Sequence, residues 1–192
     1  MIELAASFDS QLSNLAPYLI YLVVGAIVFF ETGVLFAFFL PGDSILFSAG
    51  LVAAAHGDVN IVILVTVIFI AAFLGDQVGF VIGRLVGRPY LDKHDSPRMQ
   101  KMIARSERFY EQTGWWAVVA ARFFPWIRTF VPPIAGASKM NYYKFLSANI
   151  LGALLWGVGI TLAGYYAASL PWVKTWSYAI AAFFITASLV SA

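Results

Sequence analysis

Apolar residues run through this chain in long stretches, and the polar positions that interrupt them are few enough to name. Residues 17–40 are apolar apart from Glu31. Pro41-Gly42-Asp43-Ser44 then breaks the run, and apolar character resumes from Ile45 to Ala55. Proline lacks an amide donor and crowds the preceding turn, so this Pro-Gly pair predicts a broken helix. His56-Gly57-Asp58 reads as a polar turn. Residues 61–85 form a run longer than the roughly 20 apolar residues that hydrocarbon requires. Gly75, Gly79, Gly83 and Gly87 recur there at every fourth position, which puts small residues on one helical face for close packing. Arg88-Pro89 is read as the end of that helix. Residues 96–114 read as a polar amphipathic helix on the membrane surface, opened by Ser96 as cap and Pro97 in the first turn.

The second half repeats the theme. Residues 115–137 are apolar but contain Arg122, Pro125, Arg128, Pro132, Pro133 and Gly136, so a straight spanning helix is not expected there. Residues 142–167 form a second good span with Gly152, Trp156, Gly159 and Gly164. After Leu170-Pro171 a last span is expected at about 172–192, anchored by Lys174 and Trp176. Phe38-Phe39-Leu40-Pro41 … Gly50 and Phe123-Phe124-Pro125 … Gly136 are faintly alike, and each precedes a glycine-rich span. The expected fold is all-α and integral to the membrane: an inverted repeat of two re-entrant, broken helical hairpins, each followed by a glycine-rich transmembrane helix, with a C-terminal transmembrane helix added. Repeat one covers about 17–87, a cytoplasmic amphipathic linker 88–114, repeat two 115–168, and the final helix 172–192. Two plain spanning helices with proline kinks are the alternative.

Composition strengthens the membrane reading. The chain is 61% hydrophobic and 11% charged, and its mean hydropathy is +0.81, far from soluble domains with about a quarter of their residues charged. Its 192 residues allow four to six passes. There is no cysteine, and His56 and His94 are isolated, so neither a metal centre nor another cofactor is expected. Met1 to Asn14 has no Lys or Arg and carries Glu3 and Asp9, unlike the start of a cleaved signal peptide; the first apolar segment is expected to be retained. None of the 12 basic residues precedes Arg84, and Arg84, Arg88, Lys93, Arg98, Lys101, Arg105 and Arg108 fall in one stretch. The positive-inside rule puts that stretch in the cytoplasm. Asp92, Asp95, Glu107 and Glu111 interleave with it, which argues against nucleic acid as a partner.

Four charges inside apolar runs carry the functional argument: Glu31 and Asp43 in the first broken segment, Arg122 and Arg128 in the second. Each would cost about 2.5–3.5 kcal/mol at the bilayer centre, so pairing or wetting is expected. Because acids and bases are segregated, pairing must join the two halves, with Glu31 or Asp43 meeting the arginines. One reading is a set of structural ion pairs. The other is a headgroup site in which Pro125 lets Arg122 and Arg128 converge on one phosphate, which guanidinium binds through paired N–H donors. Protonation of the neighbouring carboxylates would then free the arginines and couple transport to protons. Asp76, also intramembrane, is either a proton-relay group or a structural hydrogen-bonding group. Asn149 is expected to bond backbone carbonyls freed at the breaks. Trp115-Trp116 and Tyr142-Tyr143 are read as interfacial belt residues.

These residues resemble the DedA family, bacterial relatives of the SNARE-associated Golgi proteins with their VTT domain, across roughly 31–164. The resemblance rests on Glu31 and Pro41-Gly42-Asp43; on Gly75-Asp76-x-x-Gly79-x-x-x-Gly83-Arg84; and on Arg122-Phe123-x-Pro125-x-x-Arg128-Thr129-x-x-Pro132-x-x-Ala135-Gly136-x-x-x-Met140. It continues through Phe145, Asn149, Gly152, Trp156 and Gly164-Tyr165. It implies opposed re-entrant hairpins and proton-dependent lipid transport in the bacterial cytoplasmic membrane, with undecaprenyl phosphate or phosphatidylethanolamine as cargo. It also implies that Glu31, Asp43, Arg122 and Arg128 are essential. A basic tail often seen in the family is missing after Ala192, which leaves the C-terminal orientation open. A proton-driven cation or drug antiporter and a scaffold are the competing functions. A lipid phosphatase would need a nucleophile with a base or a metal, and none is evident, so enzymatic activity is not expected. A homo-oligomer is left open.

Overall fold

The structure is a computed structural model that describes residues 2–33, 42–55, 57–93 and 97–170. Among the described residues every regular element is helical and none is a strand. The break residue Pro41, both histidines and the expected final helix at 172–192 lie outside them.

Helix α1 (Ile2–Gly33) is 32 residues long and runs through Pro17. Helix α2 (Gly42–Ala55) follows the first break. Helix α3 (Ile61–Ile82) starts where Asn60 accepts the amides of Val62 and Ile63 at 2.8 and 3.3 Å. Those bonds satisfy donors that a helix start leaves open. The expected stop at Arg88-Pro89 is not observed. A π-helical turn, Gly83–Gly87, joins α3 to α4 (Arg88–Lys93), and the Arg88 amide bonds back to the Gly83 carbonyl. A wide turn of this kind changes the hydrogen-bond register. Pro89, which has no amide hydrogen to donate, therefore falls in the first turn after it, where proline is tolerated. The continuous helix spans Ile61–Lys93, 33 residues with a mean hydropathy of 2.4 in its most apolar window.

Helix α5 (Pro97–Gln112) is the amphipathic surface helix. The second apolar stretch is broken twice, giving α6 (Gly114–Ala121), α7 (Pro125–Arg128) and α8 (Val131–Ala137). Asn141 then caps α9 (Tyr142–Ala153) as Asn60 caps α3, accepting from Tyr143 and Lys144 at 2.9 and 3.2 Å. A second π-helical turn, Leu154–Val158, leads into α10 (Gly159–Ala167), and together they form a continuous 26-residue helix. Among the described residues, two helices are thus long and apolar enough to cross a membrane. Large apolar side chains such as Leu22, Val62, Leu85 and Leu155 face outward. In water so much exposed apolar surface would drive association, whereas lipid accepts it.

The packing is crosswise. Helix α1 lies along α3 and α6 along α9, but α2 docks on α10 and α8 docks on α3 with its π turn. Small residues permit this. A Cβ at Gly79 would press on Pro132 and Pro133 at 3.3 Å, one at Gly83 would sit 2.7 Å from the Pro133 Cα, and one at Gly87 would touch Ala137 at 3.4 Å. The four-residue glycine spacing therefore makes the groove that seats α8. On the other side, a Cβ at Gly50 would lie 2.8 Å from the Tyr165 amide nitrogen. The effect is to seat one short helix of each half against a long helix of the other.

The candidate site is a buried pair of arginine clusters

The breaks set which side chains meet in the interior. Glu31 lies in the last turn of α1, Asp43 in the first turn of α2, and Asp76 near the middle of the helix formed by α3 and α4. Arg122 follows α6 and Arg128 ends α7, with extended backbone at Phe124 between them. Glu31, Asp76, Arg122, Arg128 and Asn149 are all buried.

Arg128 reaches both acids of the first broken segment. Its Nη2 donates to Glu31 Oε1, and its Nη1 donates to Asp43 Oδ1 at 2.7 Å. Glu31 is seated against Gly42, where any Cβ would collide with its carboxylate. Arg122 does not join them. Its Nη2 donates to Asp76 Oδ2 and to Asn149 Oδ1, both at 2.5 Å, and approaches the Ala72 carbonyl at 3.3 Å. The expected meeting of Arg122 with Glu31 or Asp43 is therefore corrected: Asp76 is its partner. The reason is geometric, because the turn at 122–124 leaves Arg122 on the side of α3 while α7 carries Arg128 towards α1 and α2. Each ion pair still joins a base of the second half to an acid of the first.

Asn149 does bond a backbone carbonyl, donating Nδ2 to Phe73 at 3.1 Å, but that carbonyl belongs to α3 rather than to a break. Pro125 opens α7, and Pro132 and Pro133 fill the first turn of α8, so these prolines start helices where the chain resumes. Gly136 lies inside α8, where a Cβ would come within 3.0 Å of the Phe80 carbonyl carbon and the Arg84 amide nitrogen. Gly42 is the first residue of α2. Of the aromatic pairs, Trp116 and Tyr143 are exposed, while Trp115 donates to Ser147 at 2.9 Å.

Trp156 was not singled out by the reading of charges. It is fully buried, its Nε1 donates to Asp43 Oδ1 at 2.6 Å, and both guanidiniums lie near its ring. A signal was present: aromatic belts belong at helix ends, whereas Trp156 sits mid-span on the face it shares with Asn149 and Gly152 at helical spacing. Gly152 has a role of its own, since a Cβ there would stand 2.7 Å from Arg122 Cδ. Among the described residues several buried polar atoms have no hydrogen-bond partner, including Glu31 Oε2, Arg122 Nε and Nη1, Arg128 Nε, Gln77 Nε2 and Thr129 Oγ1. Buried groups left in this state call for water or a ligand. Chemically, the site sets guanidinium N–H donors against carboxylates and leaves some of those donors unused.

Buried charge of both signs between broken helices in an apolar, lipid-facing body defines a membrane protein with a polar interior site. The profile of the VTT domain matches residues 40–166. Protein DedA of Escherichia coli K12 is 37% identical over 179 residues, covering 91% of this chain and 82% of its own length. An uncharacterized membrane protein of Mycobacterium leprae is 44% identical over 150 residues, covering 77% of this chain. An uncharacterized membrane protein of Mycobacterium bovis is 34% identical over 195 residues. The chain belongs to the DedA family of VTT-domain membrane proteins. The matched segment spans 66% of the Mycobacterium leprae relative's length. No solved structure matches the chain.

Proposed function

We propose that the protein is a transporter of membrane lipids that bear a phosphate headgroup, with undecaprenyl phosphate as cargo and protons as the coupling ion. The observation that carries this reading is the pair of buried arginines, each held by acids from the other half of the chain. Arginine keeps its charge at any physiological pH and matches phosphate geometry through paired donors. Carboxylates occupy those donors until protons neutralise them, after which a phosphate can take their place. The polyprenyl tail stays in lipid, and no covalent bond is made or broken.

The protein would cross the bacterial cytoplasmic membrane several times, with residues 88–114 on the cytoplasmic side. Crosswise docking of α2 on α10 and of α8 on α3 supports an inverted repeat, each half lending a short broken helix to the long helix of the other. Phosphatidylethanolamine offers the same phosphate chemistry and is the alternative cargo. A second reading, a proton-driven cation antiporter, is favoured by one observation: Glu31, Asp43 and Asp76 outnumber Arg122 and Arg128.

The test is translocation in proteoliposomes under an imposed pH gradient, with undecaprenyl phosphate and phosphatidylethanolamine as separate cargoes. Undecaprenyl phosphate is expected to move with the wild type and to stop with Arg128→Ala. Movement of phosphatidylethanolamine alone would change the cargo. Lipid transport untouched by Arg122→Ala and Arg128→Ala would discard the phosphate site, and proton-coupled cation movement with neither lipid moved would favour the antiporter.

A further inference from the structure

Trp156 lies in the π-helical turn Leu154–Val158 and is shielded from solvent on every side. Its indole N–H holds Asp43 Oδ1, the same oxygen that receives Arg128 Nη1. The guanidinium carbon of Arg128 stands 4.6 Å from its ring centroid, and that of Arg122 stands 5.9 Å away. One side chain therefore touches both cations and one of the acids. Such π turns often occur at functional sites.

A guanidinium offers two distinct surfaces. Its edge presents N–H donors, for which carboxylate and phosphate compete. Its flat face is free to lie on an aromatic ring, attracted by the negative charge above that ring. A ring and a phosphate can thus hold one arginine together, whereas a carboxylate and a phosphate cannot share the same N–H. Among the described residues Arg128 Nε and Arg122 Nε and Nη1 are buried donors with no partner, so part of each edge is unused.

We infer that Trp156 is a positioning residue: its ring seats both guanidiniums so that the Arg128 edge stays aimed at a phosphate headgroup after Asp43 releases it, while its N–H holds Asp43. The inference rests on the phosphate-lipid reading above. It explains why a large aromatic residue occupies mid-span beside two cations, where an aliphatic side chain would pack without holding them.

The experiment places tryptophans of increasing fluorination at position 156 alone, in the full chain. Fluorine weakens the negative face of the ring while keeping the N–H and nearly all of the volume, so folding is preserved. Binding of undecaprenyl phosphate is measured in nanodiscs, with Arg128→Ala alongside. Affinity is expected to fall stepwise, reaching about tenfold in the most fluorinated ring. Trp156→Phe, which keeps a face but no N–H, should bind better than Trp156→Leu. A flat fluorinated series with binding abolished by Arg128→Ala overturns the role of the ring and leaves the phosphate reading standing. Full binding by Arg128→Ala overturns the phosphate reading itself.

Discussion

Arg122 and Arg128 are six residues apart and near the same ring, yet their ion pairs differ in access. In the Arg122–Asp76 pair the side chains are 3% and 5% exposed, and Asn149, the Ala72 carbonyl and the bare face of Gly152 close in around the guanidinium. Arg128 has an equally buried partner in Glu31, 1% exposed, but it also pairs with Asp43, whose carboxylate is 40% exposed. A buried pair cannot exchange partners without leaving a charge stranded in low dielectric, whereas a pair with one wet member can. Arg122 therefore suits a fixed anchor between the halves, and Arg128, through its wet Asp43 contact, suits the cation that would exchange a partner in the proposed transport.

The largest effect should come from Asp76→Ala, which strands Arg122 and should cost about 3–5 kcal/mol of stability. Denaturant unfolding in detergent would measure it. Replacing both members, Asp76→Leu with Arg122→Leu, should recover most of that loss. If Asp43→Ala proved as destabilising as Asp76→Ala, the distinction between the two clusters would be lost. Gly152→Ala comes next: its Cβ would press on Arg122 Cδ, and overpacking of this kind costs about 1–3 kcal/mol. The same unfolding assay should register it, with no comparable loss for an alanine at exposed Gly159, whose Cβ would come no nearer than 3.8 Å to the Leu154 carbonyl oxygen.

Asp43→Asn sharpens the comparison from the other side. It keeps a polar group of the same shape at a partly wet position, so stability should change by no more than about 1 kcal/mol. Transport, by contrast, should cease to respond to an imposed pH gradient; a retained response would remove Asp43 from proton coupling. The smallest effect sets the baseline. Arg88 bridges Asp92 and Glu107 where α4 meets α5, with side chains partly exposed. Arg88→Ala should cost less than about 1 kcal/mol and should speed hydrogen exchange in α5 without touching lipid binding.

Much of the scaffold was legible in residue order because lipid imposes simple demands. Length and apolarity announced the helices over 61–93 and 142–167, though Pro89 misled about where the first one stops. A proline rule applied to an ordinary α-helix does not anticipate a π turn that shifts the register beneath it. The glycines at 79, 83 and 87 announced a close contact without naming the partner, which proved to be α8. For the site, the intramembrane charges identified themselves by their cost in hydrocarbon. The partner of Arg122 did not, because Asp76 and Asn149 are brought to it from two different helices.

By itself the sequence determined that this is a membrane protein, where its apolar segments are interrupted, and that acids of the first half must answer bases of the second. Only the tertiary structure decided that Arg128 takes Glu31 and Asp43, that Arg122 takes Asp76, and that Trp156 joins them. The physical reason is that helical periodicity fixes direction only along an unbroken helix. Each break resets the rotation of the backbone, and the new direction is set by which helices the glycines allow to approach.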